Sequence, residues 1–280
     1  MLRLGVATRA ETFERMRDPL AALDIEVVSI ETAERSVPIG AGPFPSIDVG
    51  FVYPPRLAEG GVADALLAVP WVNDREAVLR SRQKGETIAR LSRAGVPVPE
   101  TVVVSDPADE ATLRAAYERV GSPAVVKPNA TTRGIGVTKV ADLDSFLGVC
   151  DYLDLVHDYR ATGDRSFLVQ GYFPDARDYR VTVLDGSVVG AVERRTDGWV
   201  HNVHRGGEAR PVELPDRERA LAERAARALG IDWVGVDLLV SDGRAVVSET
   251  NARPTIDDGK YRAGFWDELA AVVRSRATES

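Results

Sequence analysis

An acid and an amide two residues apart, at the end of an apolar run, can present two hard oxygen donors on one side of an extended chain. VVSETNARPTID (residues 246–257) has this form, with Glu249 and Asn251 on one face and Arg253 and Asp257 beyond them. Upstream, WVGVDLLV (233–240) carries Asp237 in the middle of an apolar segment. A carboxylate there is costly unless it is paired or coordinates a metal ion. Asp237, Glu249 and Asn251 thus form one candidate metal site. Taken alone, each segment is equally an ordinary strand with a polar residue facing water.

SDGR (241–244) supplies turn chemistry, so the two segments are expected to pair as a hairpin. A two-residue loop would set Asp237 opposite Ser248 and turn it away from Glu249. The sequence reading therefore expects a three-residue loop, with Gly243 left-handed in a bulge, which puts Asp237 on the face of Val247, Glu249 and Asn251.

Other residues suggest anion handling. Lys127 ends the apolar run AVVK just before a loop holding Arg133, Gly134 and Gly136. Glycine amides that approach oxygens closely, beside a point charge, suit a triphosphate; the spacing is not that of a P-loop, and a hairpin turn is the plainer account. QGYF (Gln170, Gly171, Tyr172, Phe173) followed by DARDYR is an extended segment between lobes, able to offer backbone groups to an adenine edge and Asp178 to ribose. A salt bridge from Asp178 to Arg177 or Arg180 explains that acid as simply. AVERRTDGWVHNVHRGG brings Arg194, Arg195, Asn202, His204 and Arg205 together as anion-binding groups, or as a basic surface loop.

Composition narrows the classes. The chain has 280 residues, a net charge of -8 and a sequence pI near 5.1, which argues against nucleic acid or an anionic membrane as principal partner. Three histidines argue against a zinc cluster. Cys150, the single cysteine, lies at helical spacing with Leu143, Phe146 and Leu147 and reads as a buried structural thiol. No signal peptide is recognised, so a cytoplasmic location is expected.

The elements that must position these residues follow from periodicity and punctuation. Residues 1–80 alternate short apolar runs with a helix bearing Phe13, Met16, Leu20 and Leu23, an open α/β unit whose first turn lacks the dinucleotide glycine pattern. A helix is expected from Ser81 as N-cap to Ala94, with Gly95 past its end. Lys84 falls in its first turn, where a solvated surface lysine is the simplest reading. Residues 81–170 form a second lobe with the glycine-containing loop, and 171–280 a third, dominated by antiparallel strands, with a helix from Asp216 to Leu229 closed by Gly230.

Taken in order, Lys84, VVKPN, RGIG, LVQGYF, DYR, ERR, NVHRGG, GVD and ETN resemble the ATP-grasp ligases, most closely the RimK-like α-L-glutamate ligase branch and more distantly glutathione synthetase. The resemblance spans residues 84–257. It implies an α/β (α+β) ATP-grasp fold, with a preceding α/β domain, and ATP bound between two lobes. It also implies two Mg²⁺ ions, with Mn²⁺ as an alternative, held by Asp237, Glu249 and Asn251. Lys84 and Lys127 would meet the phosphates, Gln170, Gly171 and Tyr172 the adenine, and Asp178 the ribose. Arg180, Asn202 and Arg205 would orient the transferred phosphoryl group and the carboxyl substrate.

The implied activity joins an amino acid such as glutamate to a carboxyl-bearing acceptor, a small molecule or a protein C-terminus, through an acylphosphate. Ligases of this branch are often oligomeric, so a homo-oligomer is compatible. Two departures stand out. Gly171 lies where these ligases commonly carry an acid, and Ala252-Arg253-Pro254-Thr255 replaces the usual serine and Pro-Gly. Alternatives are a glutathione-synthetase-like peptide ligase, a regulatory ATP-binding protein without turnover, and direct phosphorylation of a small molecule.

Overall fold

The computed structural model describes residues 1–7, 11–40, 42–131, 135–159, 164–195 and 208–279. Three sheets organise them. β1 (Leu2–Val6), β2 (Ile25–Ser29), β3 (Val49–Val52) and β4 (Trp71–Asn73) form a parallel sheet in the order β2-β1-β3-β4, with α1 (Glu11–Ala21) and α2 (Leu57–Leu67) as crossovers. Every residue of β3 is buried, as expected of a parallel strand covered on both faces.

The second sheet is antiparallel, in the order β5-β8-β6-β7: β5 (Thr101–Ser105), β6 (Ala124–Pro128), β7 (Thr138–Val140) and β8 (Ser166–Gly171). One face packs on α5 (Glu110–Val120) and α6 (Leu143–Tyr159) through a core that includes Phe146, Cys150 and Phe167. The other face presents Lys127 and Gln170, because side chains alternate along a strand.

The third sheet has the order β11-β10-β9-β12-β13: β9 (Arg177–Leu184), β10 (Ser187–Arg195), β11 (Glu208–Pro211), β12 (Trp233–Ser241) and β13 (Arg244–Asn251). α7 (Asp216–Leu229) covers it and ends at Gly230, whose φ of 60° meets the left-handed cap that glycine favours. This sheet shares one core with the parallel sheet: Trp233 lies 6.1 Å from Phe51 and 5.8 Å from Phe265 of α8 (Phe265–Ala277).

Between the first two sheets the chain forms two helices where one was expected. α3 (Arg75–Arg82) is capped by Asp74, which accepts from the Ala77 amide at 2.7 Å, and α4 (Lys84–Arg93) starts after a break at Gln83. Ser81 is therefore inside α3 rather than an N-cap. Tertiary bonding decides this: its Oγ lies 3.1 Å from Thr250 Oγ1 and accepts from the Ala252 amide at 2.9 Å, fastening α3 to the end of β13.

Candidate functional site

The β12–β13 hairpin meets the requirement set by its acids through a different device from the expected one. Ser241 pairs with Arg244, so the loop has two residues, Asp242 (φ 49°) and Gly243 (φ 70°), both left-handed as a tight primed turn needs. The register then shifts between Leu238 and Asp237: Leu238 pairs with Val247, while Asp237 pairs with Glu249. Ser248 is the extra residue of a bulge inside the strand, and its hydroxyl lies 3.3 Å from the Asp237 carbonyl oxygen. The three-residue loop is thus corrected, and Val247 faces the core. The shared face of Asp237, Glu249 and Asn251 (opposite Gly235) stands.

Asp237 is the electrostatic centre. Arg180 on β9 grips it in parallel, Nε to Oδ1 and Nη2 to Oδ2, each at 2.7 Å. Arg194 on β10 donates to Asp237 Oδ2 at 3.0 Å and to Asp178 Oδ1 at 2.6 Å. Burial pushes Asp237 toward the neutral acid, but Arg180 and Arg194 outweigh it and hold the carboxyl far below its ordinary range. Asp178 goes the other way: burial raises it to about 6 despite Arg194. Its bridge is to Arg194, not to Arg177 or Arg180.

Arg194 and Arg195 do not converge. Neighbours on a strand point to opposite faces, so Arg194 is buried between two acids while exposed Arg195 bonds Glu193 at 2.8 Å. Asn202, His201, His204 and Arg205, like Arg133 and Gly134, lie outside the described residues. Gly136 is described; with φ 77° and Pro128 Cγ 2.8 Å from where its Cβ would be, only glycine suits it.

Lys84 is not a solvated surface lysine. It is 7% exposed, and its Nζ lies 3.6 Å from Glu249 Oε1 and also donates to the Thr131 carbonyl. Asn129, to which the sequence reading assigned no role, holds it there: the Lys84 and Gly85 amides donate to Asn129 O at 3.2 Å and Oδ1 at 2.8 Å. A helix start, with its free amides, is thereby docked on the end of β6. Only the asparagine in VVKPN hinted at it.

On β6, Lys127 Nζ donates to Gln170 Oε1 at 2.7 Å, and Gln170 Nε2 reaches Thr101 Oγ1 at 2.9 Å. Burial lowers the Lys127 pKa, opposed by the attraction of Glu249 and reinforced by the repulsion of Lys84. Lys127, from β6, and Lys84, from the start of α4, thus both face the acids of the third sheet.

The segment after Gln170 borders a cavity of about 260 Å³, closed by Glu100, Ser241, Arg244 and Val246. The Gly171 and Tyr172 amides already donate, to Glu100 O at 2.9 Å and Pro123 O at 3.1 Å. They are not free for a base edge unless those bonds open. The Tyr172 ring lies under Lys139 Nζ, 3.7 Å from its centroid.

The donor set fits a hard cation. Two carboxylates and an amide oxygen share one face, and among the described residues no cluster of three His, Cys, Asp or Glu side chains competes with them. Mg²⁺ commonly takes few protein ligands and completes its shell with water and phosphate oxygens, which two facing lysines would also attract. Asn251 Oδ1 is oriented by the Arg253 amide at 2.9 Å and keeps a second lone pair.

The family model for the RimK-like ATP-grasp domain matches residues 81–265, and the chain belongs to that family. A probable alpha-L-glutamate ligase from Enterobacter sp. (strain 638) is 35% identical over 190 residues, covering 66% of this chain and 60% of its own length. A ribosomal protein bS6–L-glutamate ligase from Escherichia fergusonii is 34% identical over 208 residues, covering 72% of this chain and 66% of its own. The chain thus spans less than two thirds of the length of these relatives. In structure it superimposes on D-cycloserine synthetase with a TM-score of 0.76 at 20% identity, over 99% of this chain and 100% of that one. The fold is therefore the ATP-grasp α/β fold, a parallel N-terminal sheet followed by two antiparallel ones.

Proposed function

We propose that the protein is an ATP-dependent carboxylate–amine ligase that adds L-glutamate to a carboxyl-bearing acceptor. The observation that carries this reading is the facing of Lys84 and Lys127 onto Asp237, Glu249 and Asn251 between two sheets. Cations on one wall and hard-oxygen donors on the other suit a metal triphosphate. The family, and relatives named as glutamate ligases, support the transferred amino acid. A protein C-terminus is an acceptor by analogy with the bS6 ligase. ATP use is in keeping with the expected cytoplasmic location; among the described residues no helix is long and apolar enough to cross a membrane.

The residues divide the work. Lys84 and Lys127 bind phosphate oxygens, while Asp237, Glu249 and Asn251 would hold Mg²⁺, which neutralises charge on the phosphates when bound. Arg180, bonded to Asp237, would orient the transferred phosphoryl and the attacking carboxylate. That carboxylate attacks the γ-phosphorus, giving an acylphosphate and ADP. The amine of glutamate then attacks the acyl carbon, and inorganic phosphate leaves as the amine loses its proton. No protein nucleophile is needed, since positioning and charge neutralisation carry the chemistry.

The test is ADP release with Mg²⁺, ATP, amino acids and carboxylic acids or peptide C-termini, with products read by mass spectrometry. The expected result is a glutamate-dependent amide product. ATP binding without turnover on any pair would favour a regulatory protein, a reading that the occupied Gly171 and Tyr172 amides also encourage. ADP release with a phosphorylated but amide-free product would indicate a kinase.

A further inference from the structure

Two arginines beside the proposed metal site have, among the described residues, no acid to neutralise them. Arg253 follows Asn251 by two residues in a turn, where its amide donates to Asn251 Oδ1 at 2.9 Å. Its guanidinium donates to the Tyr53 carbonyl, and Arg82, two residues before Lys84, donates to the Pro55 carbonyl at 2.9 Å. The two guanidinium groups repel each other, and among the described residues neither forms an ion pair. The nearby acids are committed elsewhere: Glu249 to Lys84, Asp237 to Arg180 and Arg194, and Asp257 to Lys260 at 2.6 Å. Backbone carbonyls accept hydrogen bonds but carry no net charge, so a partly buried positive pair is left uncompensated.

The position of the pair also points to a ligand. Tyr53 and Pro55 follow β3, at the carboxyl end of a parallel strand, where open α/β sheets present their ligand crevice. Each guanidinium has five N–H donors, and one acceptor apiece leaves forks suited to a carboxylate.

We propose that Arg82 and Arg253 form a carboxylate-binding subsite for a substrate carboxylate that survives amide formation. This rests on the ligase reading for its place in the reaction, but the binding claim is independent of turnover. The surviving carboxylate belongs either to the incoming amino acid or to the acceptor, and both present the same anion to the pair. By holding it beside Asn251, the subsite makes the enzyme select dicarboxylic over monocarboxylic substrates.

The test uses the full chain with Arg253→Met, Arg253→Lys and Arg82→Met, each first checked for a wild-type denaturation midpoint. Arg253→Lys keeps a charge if the methionine variant fails to fold. Calorimetry with glutarate, a dicarboxylate without an amine, is expected to show binding to wild type and at least about tenfold weaker binding to both methionine variants. KM for the carboxylate substrate should rise to a similar degree, with KM for ATP within about twofold of wild type. If the penalty is larger for glutamate than for glutamine, the carboxylate is the amino acid's; if it follows a second carboxyl on the acceptor, it is the acceptor's. Glutarate affinity equal in wild type and folded variants, or no glutarate binding by wild type, overturns the subsite. A wild-type protein that binds glutarate through these arginines yet makes no amide sinks the ligase reading alone.

Discussion

Arg180 holds Asp237 by two parallel bonds of 2.7 Å each, so an acid expected to face a metal ion is already paired with a strong cation. Arg194 adds a third bond to the same carboxylate. The acid that looked unaffordable in an apolar strand is thus paid for by two neighbouring strands, and its charge is kept through folding.

Arg194 is the member of this cluster most devoted to structure. Replacing it with Met leaves Asp178 and Asp237 buried with one fewer cation between them. The expected loss is about 3–5 kcal/mol of folding free energy, measured by urea unfolding. A loss below about 1 kcal/mol would mean that the cluster does not need Arg194.

Glu249 has the opposite profile. Its side chain is 39% exposed and its one ion pair among the described residues is to Lys84 at 3.6 Å, so Glu249→Gln should leave the unfolding midpoint nearly unchanged. Turnover should fall by about a hundredfold or more, as when charge stabilisation of a transition state is removed. Excess chelator should abolish wild-type turnover and added Mg²⁺ restore it. Wild-type activity in Glu249→Gln would end the metal assignment.

Asp178 predicts a pH effect with a definite sign. Burial raises its folded pKa to about 6 from the ordinary 3.8, so the folded state binds this proton more tightly than the unfolded chain. The associated stability is fully present below about pH 4 and is lost as pH rises through 6. Between these limits, wild-type stability should fall with rising pH relative to Asp178→Asn. Parallel stability curves for the two proteins over that window would refute the shift.

Cys150 provides a simple check on the second core. Burial lifts its thiol to about 12 from 9.0, with Asp106 and Asp151 adding to the effect. Native protein should therefore fail to react with a thiol reagent at pH 8, and urea-unfolded protein should react at its single cysteine. Prompt labelling of the native chain would show that α6 opens readily from its sheet.

Much of this protein was legible locally. The Asp216–Leu229 helix and its Gly230 stop, and the buried thiol face of α6, each depend on a few consecutive residues, whose backbone preferences and periodicity are written in order along the chain; the place of the β12–β13 turn was legible too, but not its length. Asp237, Glu249 and Asn251 could be grouped because two short apolar runs joined by a turn have few ways to pair. What only the tertiary structure decided lies between distant segments. The bulge at Ser248, the break before Lys84, the seating of that lysine against Glu249, and the separation of Arg194 from Arg195 all follow from partners brought together by packing. Local sequence cannot rank those partners, because a buried charge takes whichever opposite charge the completed fold leaves within reach. Arg82 and Arg253 show the converse: the fold brings two like charges together and leaves them without an acid among the described residues.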